Sequence, residues 1–480
     1  MNELVGYIPK EKRKKILLLA DDIRMHSGVA TMAKEIVVGT AHHFNWYQLG
    51  AALKHPEVGK VFDLSEDINK RLGIEDSSVQ VRPNTGYGDS TIIRSLIKEQ
   101  KPDAIFIFTD PRYWVWLFEI EREIRTKIPI VWLNIWDDYP APLYNKTFYN
   151  SVDALMAISK QTRNINELVL GEAAKDKLLA YIPHGIDHRV FFPITEEHEQ
   201  YSKFLDFKKA TLPLEDPEFV VYFNSRNIQR KRPADTILAY KFFCDIIGEE
   251  KAKKCALILH TAAVDNNGTD LKAVKQALAP DENIFFSQSK ITPEQMNMMY
   301  NMADLTVLLS SNEGWGLSLT ESMMAGTMIA ANVTGGMQDQ MRFEDEEGEW
   351  INFNADFPSN HRGTYTRCGE WALPIFPSNI SLVGSVPTPY IFDDRCSPED
   401  AAKAMLTAYN MSKEQRDING LKGREWAMSD EARMTADGMS SNIAFAVDKA
   451  LDVFVPRPSF ELIKTEPIKK DRVLHKLTGY

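Results

Sequence analysis

Short apolar runs alternate with amphipathic stretches along most of the chain. Residues 16–20, 79–81, 104–108, 130–134, 154–158 and 179–182 read as strands in the first half. Residues 219–223, 256–260, 284–287, 305–309 and 328–331 do so in the second. Strands that are apolar throughout and separated by helical periods belong to parallel sheets covered on both faces, so the expected fold class is α/β. Between the two sets, residues 187–217 are polar, contain Pro and hold no persistent apolar period, which reads as a linker. Residues 343–394 are rich in Gly, Pro, Asn and aromatics and are long for an α/β connection, which marks a functional loop or an insertion. Ser397-Pro398-Glu399-Asp400 opens a further helix, helical pattern runs to about Val453, and a Pro- and Lys-rich tail follows.

Composition narrows the class. The chain has 480 residues, 44% hydrophobic and 26% charged, enough for two large domains. A formal net charge of −11 argues against a protein that coats nucleic acid through its overall field, though local basic patches are compatible with it. The four cysteines form no C-x-x-C pair, so neither a disulfide framework nor a zinc knuckle is indicated, and a reducing cytoplasmic setting is expected. No run approaches the ~20 apolar residues of a membrane span, so no integral membrane association is expected.

Three strand ends carry candidate chemistry. The first strand leads through Asp21 and Asp22 to Ser27-Gly28 and then to apolar residues at helical spacing. A Gly at such a turn admits a ligand close to the backbone, and the free N–H groups of a helix start favour an anion. The turn lacks the G-x-G-x-x-G of a dinucleotide site. Residues 219–223 are followed by Arg226, Arg230, Lys231 and Arg232, four cations within seven residues at a carboxyl strand end, where phosphates bind in open α/β sheets. After 305–309 comes Ser310-Ser311-Asn312-Glu313-Gly314-Trp315-Gly316-Leu317, with Glu321 on the helix beginning near Leu317. The two carboxylates suit sugar or ribose hydroxyls, and the helix start suits phosphate. Each motif also has a plain structural reading as a tight turn, a solvated basic loop or a solvated Glu.

Taken in order, these residues resemble the retaining glycosyltransferases of family 4, built on the GT-B fold of two facing Rossmann-like domains. The resemblance runs from about Ile16 to Val453. Glu313 and Glu321 match the family's E-x7-E element in its Glu-Gly-aromatic-Gly-Leu context, and Arg226 and Lys231 have the family's five-residue spacing. Pro183-His184-Gly185-Ile186-Asp187 with Phe191-Phe192-Pro193 resembles the segment closing the first domain, and Thr334-Gly335-Gly336 the Gly-Gly turn. The implied domains are residues 1–190 (acceptor side), 191–435 (nucleotide-sugar side, with the 343–394 insertion) and 436–480 (a helix returning to the first domain, then the basic tail).

The resemblance implies transfer of a sugar, with retention, from a nucleoside diphosphate donor, UDP- or GDP-linked, and with no other cofactor. Gly28, Gly316 and Leu317 would bind the diphosphate through backbone N–H groups, Arg226 and Lys231 would neutralise it, Glu321 would hold the ribose and Glu313 the transferred sugar. The absence of Asp-x-Asp implies no metal. Where family members place a catalytic His or Asp, this chain has Trp136-Asp137-Asp138-Tyr139-Pro140, which makes Asp137 the first candidate and Asp138 the second; Asp110 closes a neighbouring strand. Trp114, Trp116, Trp132, Trp136 and Tyr139 crowd the same edge as core or stacking groups. Charges in such a cleft are expected to add little to folding.

The acceptor stays open between a glycan, a small molecule and a modified DNA base. The long segment and the Gly-Gly-Met-Gln-Asp-Gln context before it resemble phage-encoded relatives, some of which glycosylate hydroxylated bases. Residues 10–15 and Arg457, Lys464, Lys469, Lys470, Arg472 and Lys476 would then meet phosphates. The same fold also serves nucleotide-sugar epimerases and inactive nucleotide-sugar binders. The sequence sets no oligomeric state.

Overall fold

The structure is a computed structural model and describes residues 6–52, 54–353 and 363–460. Eight strands of the first half, Lys14–Asp21 (β1), Phe44–Ala52 (β2), Phe62–Asp63 (β3), Val79–Thr85 (β4), Ala104–Phe108 (β5), Ile130–Asn134 (β6), Ala154–Ala157 (β7) and Leu178–Tyr181 (β8), form one sheet. Its order is β3-β4-β2-β1-β5-β6-β7-β8, parallel except for β3. Phe219–Asn224 (β9), Cys255–His260 (β10), Ile284–Ser287 (β11), Leu305–Leu308 (β12), Met328–Asn332 (β13) and Ala372–Ile375 (β14) form a second, in the order β11-β10-β9-β12-β13-β14, parallel throughout. This is the mixed α/β architecture of the GT-B fold.

Both faces of each sheet are buried, and the side-chain period of two assigns them. Ile16, Leu18 and Ala20 of β1 enter one core, Leu17 and Leu19 the core behind the sheet. In β9, Phe219, Val221 and Phe223 face one core and Val220 and Tyr222 the other. Helix Gly28–Thr40 covers the first sheet, and helix Ala436–Val453 from the end of the chain packs on it so closely that a Cβ on Gly39 would lie 2.0 Å from Ser440 Oγ. Among the described residues no helix is long and apolar enough to cross a membrane.

Two segments differ from the sequence expectation. Residues 187–217 are not wholly irregular: helix Tyr201–Thr211 packs against helix Pro293–Met302, driven by Phe204, which is buried, with Tyr201 and Phe207 beside it at three-residue spacing. The 343–394 segment is partly a core element. It supplies β14, paired in parallel register with β13, and then an antiparallel hairpin, Asn379–Ser385 (β15) and Thr388–Arg395 (β16). β2 was also missed, because Asn45 and Gln48 interrupt an otherwise buried strand.

The halves meet through a polar seam. The Lys160 backbone N–H donates to Asp339 Oδ2 at 2.9 Å, as does Tyr181 Oη at 3.0 Å, while Lys160 Nζ lies 3.4 Å from the Trp350 ring centre and donates to Ile351 O. Burial raises the Asp339 carboxyl to about 6 and lowers the Lys160 ammonium to about 8. Between the ordinary carboxyl value and about 6 the folded chain keeps a proton that the unfolded chain has released, so this group's stabilisation is lost as pH rises through that window. Asp339→Asn keeps the acceptor without the charge. It should unfold at higher temperature than the parent at pH 8, by the equivalent of up to about 3 kcal/mol, with the gap closing by pH 4; thermal denaturation showing the same gap at both pH values would contradict this.

Candidate active site

Strand order reverses between β1 and β5 in the first sheet and between β9 and β12 in the second. At such switch points the loops leaving the carboxyl ends diverge and open a crevice. The loops after β1, β9 and β12 are the three that the sequence marked.

At the centre, Lys231 Nζ and Glu313 Oε2 form a hydrogen-bonded ion pair with side chains only 11% and 12% exposed, and Arg230 Nη1 donates to the same oxygen at 3.0 Å and to Asn312 O at 2.7 Å. Burial opposes charge on Glu313, but Lys231 and Arg230 outweigh it and hold the carboxyl below its ordinary value. Burial pulls Lys231 down to about 8.

The Glu313 loop is held by glycines that leave no room for a side chain. A Cβ on Gly335 (φ +54°) would lie 2.0 Å from Glu313 O, and one on Gly336 would lie 2.1 Å from Gly314 O; Gly336 N–H donates to Glu313 O at 2.9 Å. On the other side, Gly314 abuts Ile135 O and Asp137 of the first half.

Helix Leu317–Met324 starts at Gly316 (φ +90°) with no side chain of the described residues capping it, so its first N–H groups stay available. Gly28 begins the facing helix behind Ser27, whose Oγ accepts from Ala30 N–H and donates to Asp21. A Cβ on Gly28 would lie 3.8 Å from Leu317 Cδ1, so the two helix starts meet across the crevice. Glu321 accepts from Tyr300 Oη at 2.6 Å, Tyr300 in turn accepts from Asn224 Nδ2 at 2.8 Å, and burial raises the Glu321 carboxyl.

Arg226 stands apart from this cluster. Its guanidinium is 64% exposed and donates to Asp265 Oδ2, while Arg230, which sequence spacing passed over, occupies the place beside Glu313. The five-residue spacing points to Arg226 and Lys231; the tight turn Gln229–Lys231 brings Arg230 and Lys231 to Glu313 and leaves Arg226 outside. Asp137 and Asp138 share a hydrogen bond near Arg230 and Lys231. Burial raises both carboxyls, Asp138 well above its ordinary value, with the neighbouring Asp137 charge adding to the effect and Arg230 opposing it on both.

Next to this pair a cavity of about 800 Å³ lies between the halves. Trp136 and Asp110 line it, Asp110 paired to Arg112, whereas Trp114 and Trp132 are core. His184, also buried, lies between Phe108 and Trp315; burial lowers it to about 3 and keeps it neutral. At the amino end Arg13 is buried on Asp76 and Lys14 pairs with Asp103, so these cations are already matched. Lys464, Lys469, Lys470, Arg472 and Lys476 lie outside the described residues.

Part of the second half is similar to a known family. Residues 204–356 match the family model described as Glycosyl transferases group 1. That stretch spans Arg226, Lys231, Glu313, Glu321 and the Gly-Gly turn. No curated protein matches the chain in sequence. Among solved structures, HepE of Anabaena in complex with UDP-glucose is similar at a TM-score of 0.62 and 14% identity, over 91% of this chain and 99% of that one. Sucrose-phosphate synthase of Thermosynechococcus elongatus is similar at 0.61 and 13% (92% and 100% covered), and a glycosyltransferase of Rickettsia africae at 0.60 and 12% (92% and 100%). At these identities the likeness is one of fold.

Proposed function

We propose that the chain is a retaining, metal-independent glycosyltransferase of the family 4 kind that moves a sugar from a nucleoside diphosphate donor to an acceptor hydroxyl. The observation that carries this reading is the buried Lys231–Glu313 pair, joined by the half-exposed Arg230, at the switch-point edge beside the helix start at Gly316, which the Gly28 helix start faces. A departing diphosphate gains negative charge, and preformed cations and N–H groups aimed at it lower the barrier without a metal. In this reading the N–H groups at Gly28 and at Leu317 bind the diphosphate, Lys231 neutralises it, and exposed Arg226 swings from Asp265 to join it. Glu313 accepts from hydroxyls of the transferred sugar, and Glu321, already fixed by Tyr300, accepts from the ribose. Asp137 orients the acceptor hydroxyl and takes its proton. UDP is the first donor nucleotide to test, since HepE was solved with UDP-glucose.

Thermal protection by nucleotides tests the donor half directly. UDP or GDP should raise the unfolding temperature. Glu321→Ala should weaken that nucleotide about 10- to 100-fold, the worth of hydrogen bonds to a charged group, and leave pyrophosphate binding unchanged. Equal weakening of pyrophosphate would remove Glu321 from the ribose.

A further inference from the structure

The cavity beside Asp137 has a wall that the first half does not supply. β15 and β16 leave the second half, and β16 crosses to the first, where Phe392 N–H donates to Tyr139 O at 2.6 Å, Tyr144 Oη to Tyr390 O at 3.2 Å and Tyr390 Oη to Ala141 O at 3.4 Å. Its far end is anchored back by Asp394 N–H to Ser311 O at 2.9 Å and by Thr334 Oγ1 to Asp394 at 2.7 Å. The hairpin thus roofs the chamber and turns Ile391, Asp393 and Arg395 onto it.

The charges on this wall are matched. Asp393 Oδ2 accepts from Arg232 Nη2 at 2.8 Å and from Arg395 Nε and Nη2 at 2.9 and 2.7 Å, and Arg112 is held twice by Asp110, at 2.9 and 2.7 Å. Asp235, a further carboxyl on the lining, lies close enough to Arg232 and Arg395 to feel both. An anionic group entering here would have to displace a carboxylate from its guanidinium. The pairs nevertheless keep unused capacity, because a guanidinium has five N–H donors and a carboxylate about four lone-pair sites. Donors and acceptors alternating without excess charge, beside the apolar surfaces of Trp136 and Ile391, suit adjacent hydroxyls on a ring with an apolar face.

We propose that this chamber is the acceptor site, that it takes an uncharged polyhydroxylated acceptor of the sugar or glycoside class, and that the hairpin, through Arg395 and Asp393, selects it. The inference rests on the transferase reading above and assigns acceptor choice to the second half, where the sequence had looked to first-half loops.

The test uses the full chain with a donor that thermal protection has identified. Label transfer is measured to neutral sugars and their glycosides, to hexose phosphates, and to duplex DNA containing hydroxymethylcytosine. Transfer should favour the neutral acceptors. Arg395→Leu and Arg112→Leu, at sites 46% and 37% exposed, should each raise the acceptor KM about tenfold, one hydrogen bond to a charged group, with the donor KM unchanged. Arg395→Lys should recover part of the loss. Unchanged acceptor KM in both variants, or label confined to hexose phosphate or DNA, would overturn the acceptor assignment and leave the transferase reading standing. Absence of both nucleotide binding and donor turnover would overturn the two together.

Discussion

Glu313→Ala is expected to lower transfer by about 10³-fold or more and to destabilise the fold as well. The expectation from sequence was that cleft charges add little to folding. Burial changes that, because removing Glu313 leaves Lys231 enclosed without its counter-ion. Breaking one side of a buried pair costs about 3–5 kcal/mol. Lys231 has a cheaper escape. Burial already holds it at about 8, and without Glu313 it falls further and loses its proton, and with it the charge that the proposed mechanism sets against the diphosphate. The parent should therefore lose activity as pH rises through about 8, and in the variant that alkaline limb should move to lower pH. Between about 8 and the ordinary Lys value the unfolded chain holds the extra proton, so the strain of burying Lys231 is relieved as pH rises through that window. Lys231→Ala combined with Glu313→Ala should cost less stability than the two single changes added. Strict additivity in denaturant titrations, together with an unmoved pH profile, would show that the pair is not coupled as described.

Gly335→Ala should be as damaging to activity by a different route. The residue is at φ +54°, and its added Cβ would meet Glu313 O at 2.0 Å, a backbone atom that cannot swing away. Either the turn after β13 or the Glu313 loop must move. A loss of about 4 kcal/mol or more is expected, at the severe end for a single substitution. Transfer should vanish although Gly335 has no side chain to offer a substrate. Circular dichroism melting and activity should fall together, in contrast to Glu321→Ala, where binding falls and stability is largely kept. Full stability in Gly335→Ala would mean that the Glu313 loop is not held as the structure indicates.

The sheet strands were legible because parallel strands are apolar on both faces, and 104–108, 130–134 and 284–287 were read to the residue. β2 was not, because buried Gln48 serves as a partner to Ile23 N–H and Asp21 O, and a polar residue in a strand reads as a break. Helix Tyr201–Thr211 was lost in a charged stretch whose apolar face is only three residues wide. In the site, Glu313, Lys231 and Glu321 followed from motif spacing. Arg230 did not, because linear spacing carries no information about which cations of the Arg226–Arg232 run the turn at Gln229–Lys231 brings to Glu313. The contribution of Asp393 and Arg395 was illegible for a different reason. They lie far along the chain from the Gly-Gly turn and the Glu313 loop, and only the tertiary path of the hairpin brings them to the crevice.

That path has an evolutionary corollary. β15 and β16 pair with each other and with neither parallel sheet. The hairpin can lengthen, shorten or change its residues without shifting the register of a strand in either half. Its base is another matter, because Asp393 pairs with Arg232 beside Lys231 and Asp394 bonds Ser311 and Thr334 beside the Glu313 loop, so descendants of such a chain can vary the turn of the ribbon while its base stays fixed.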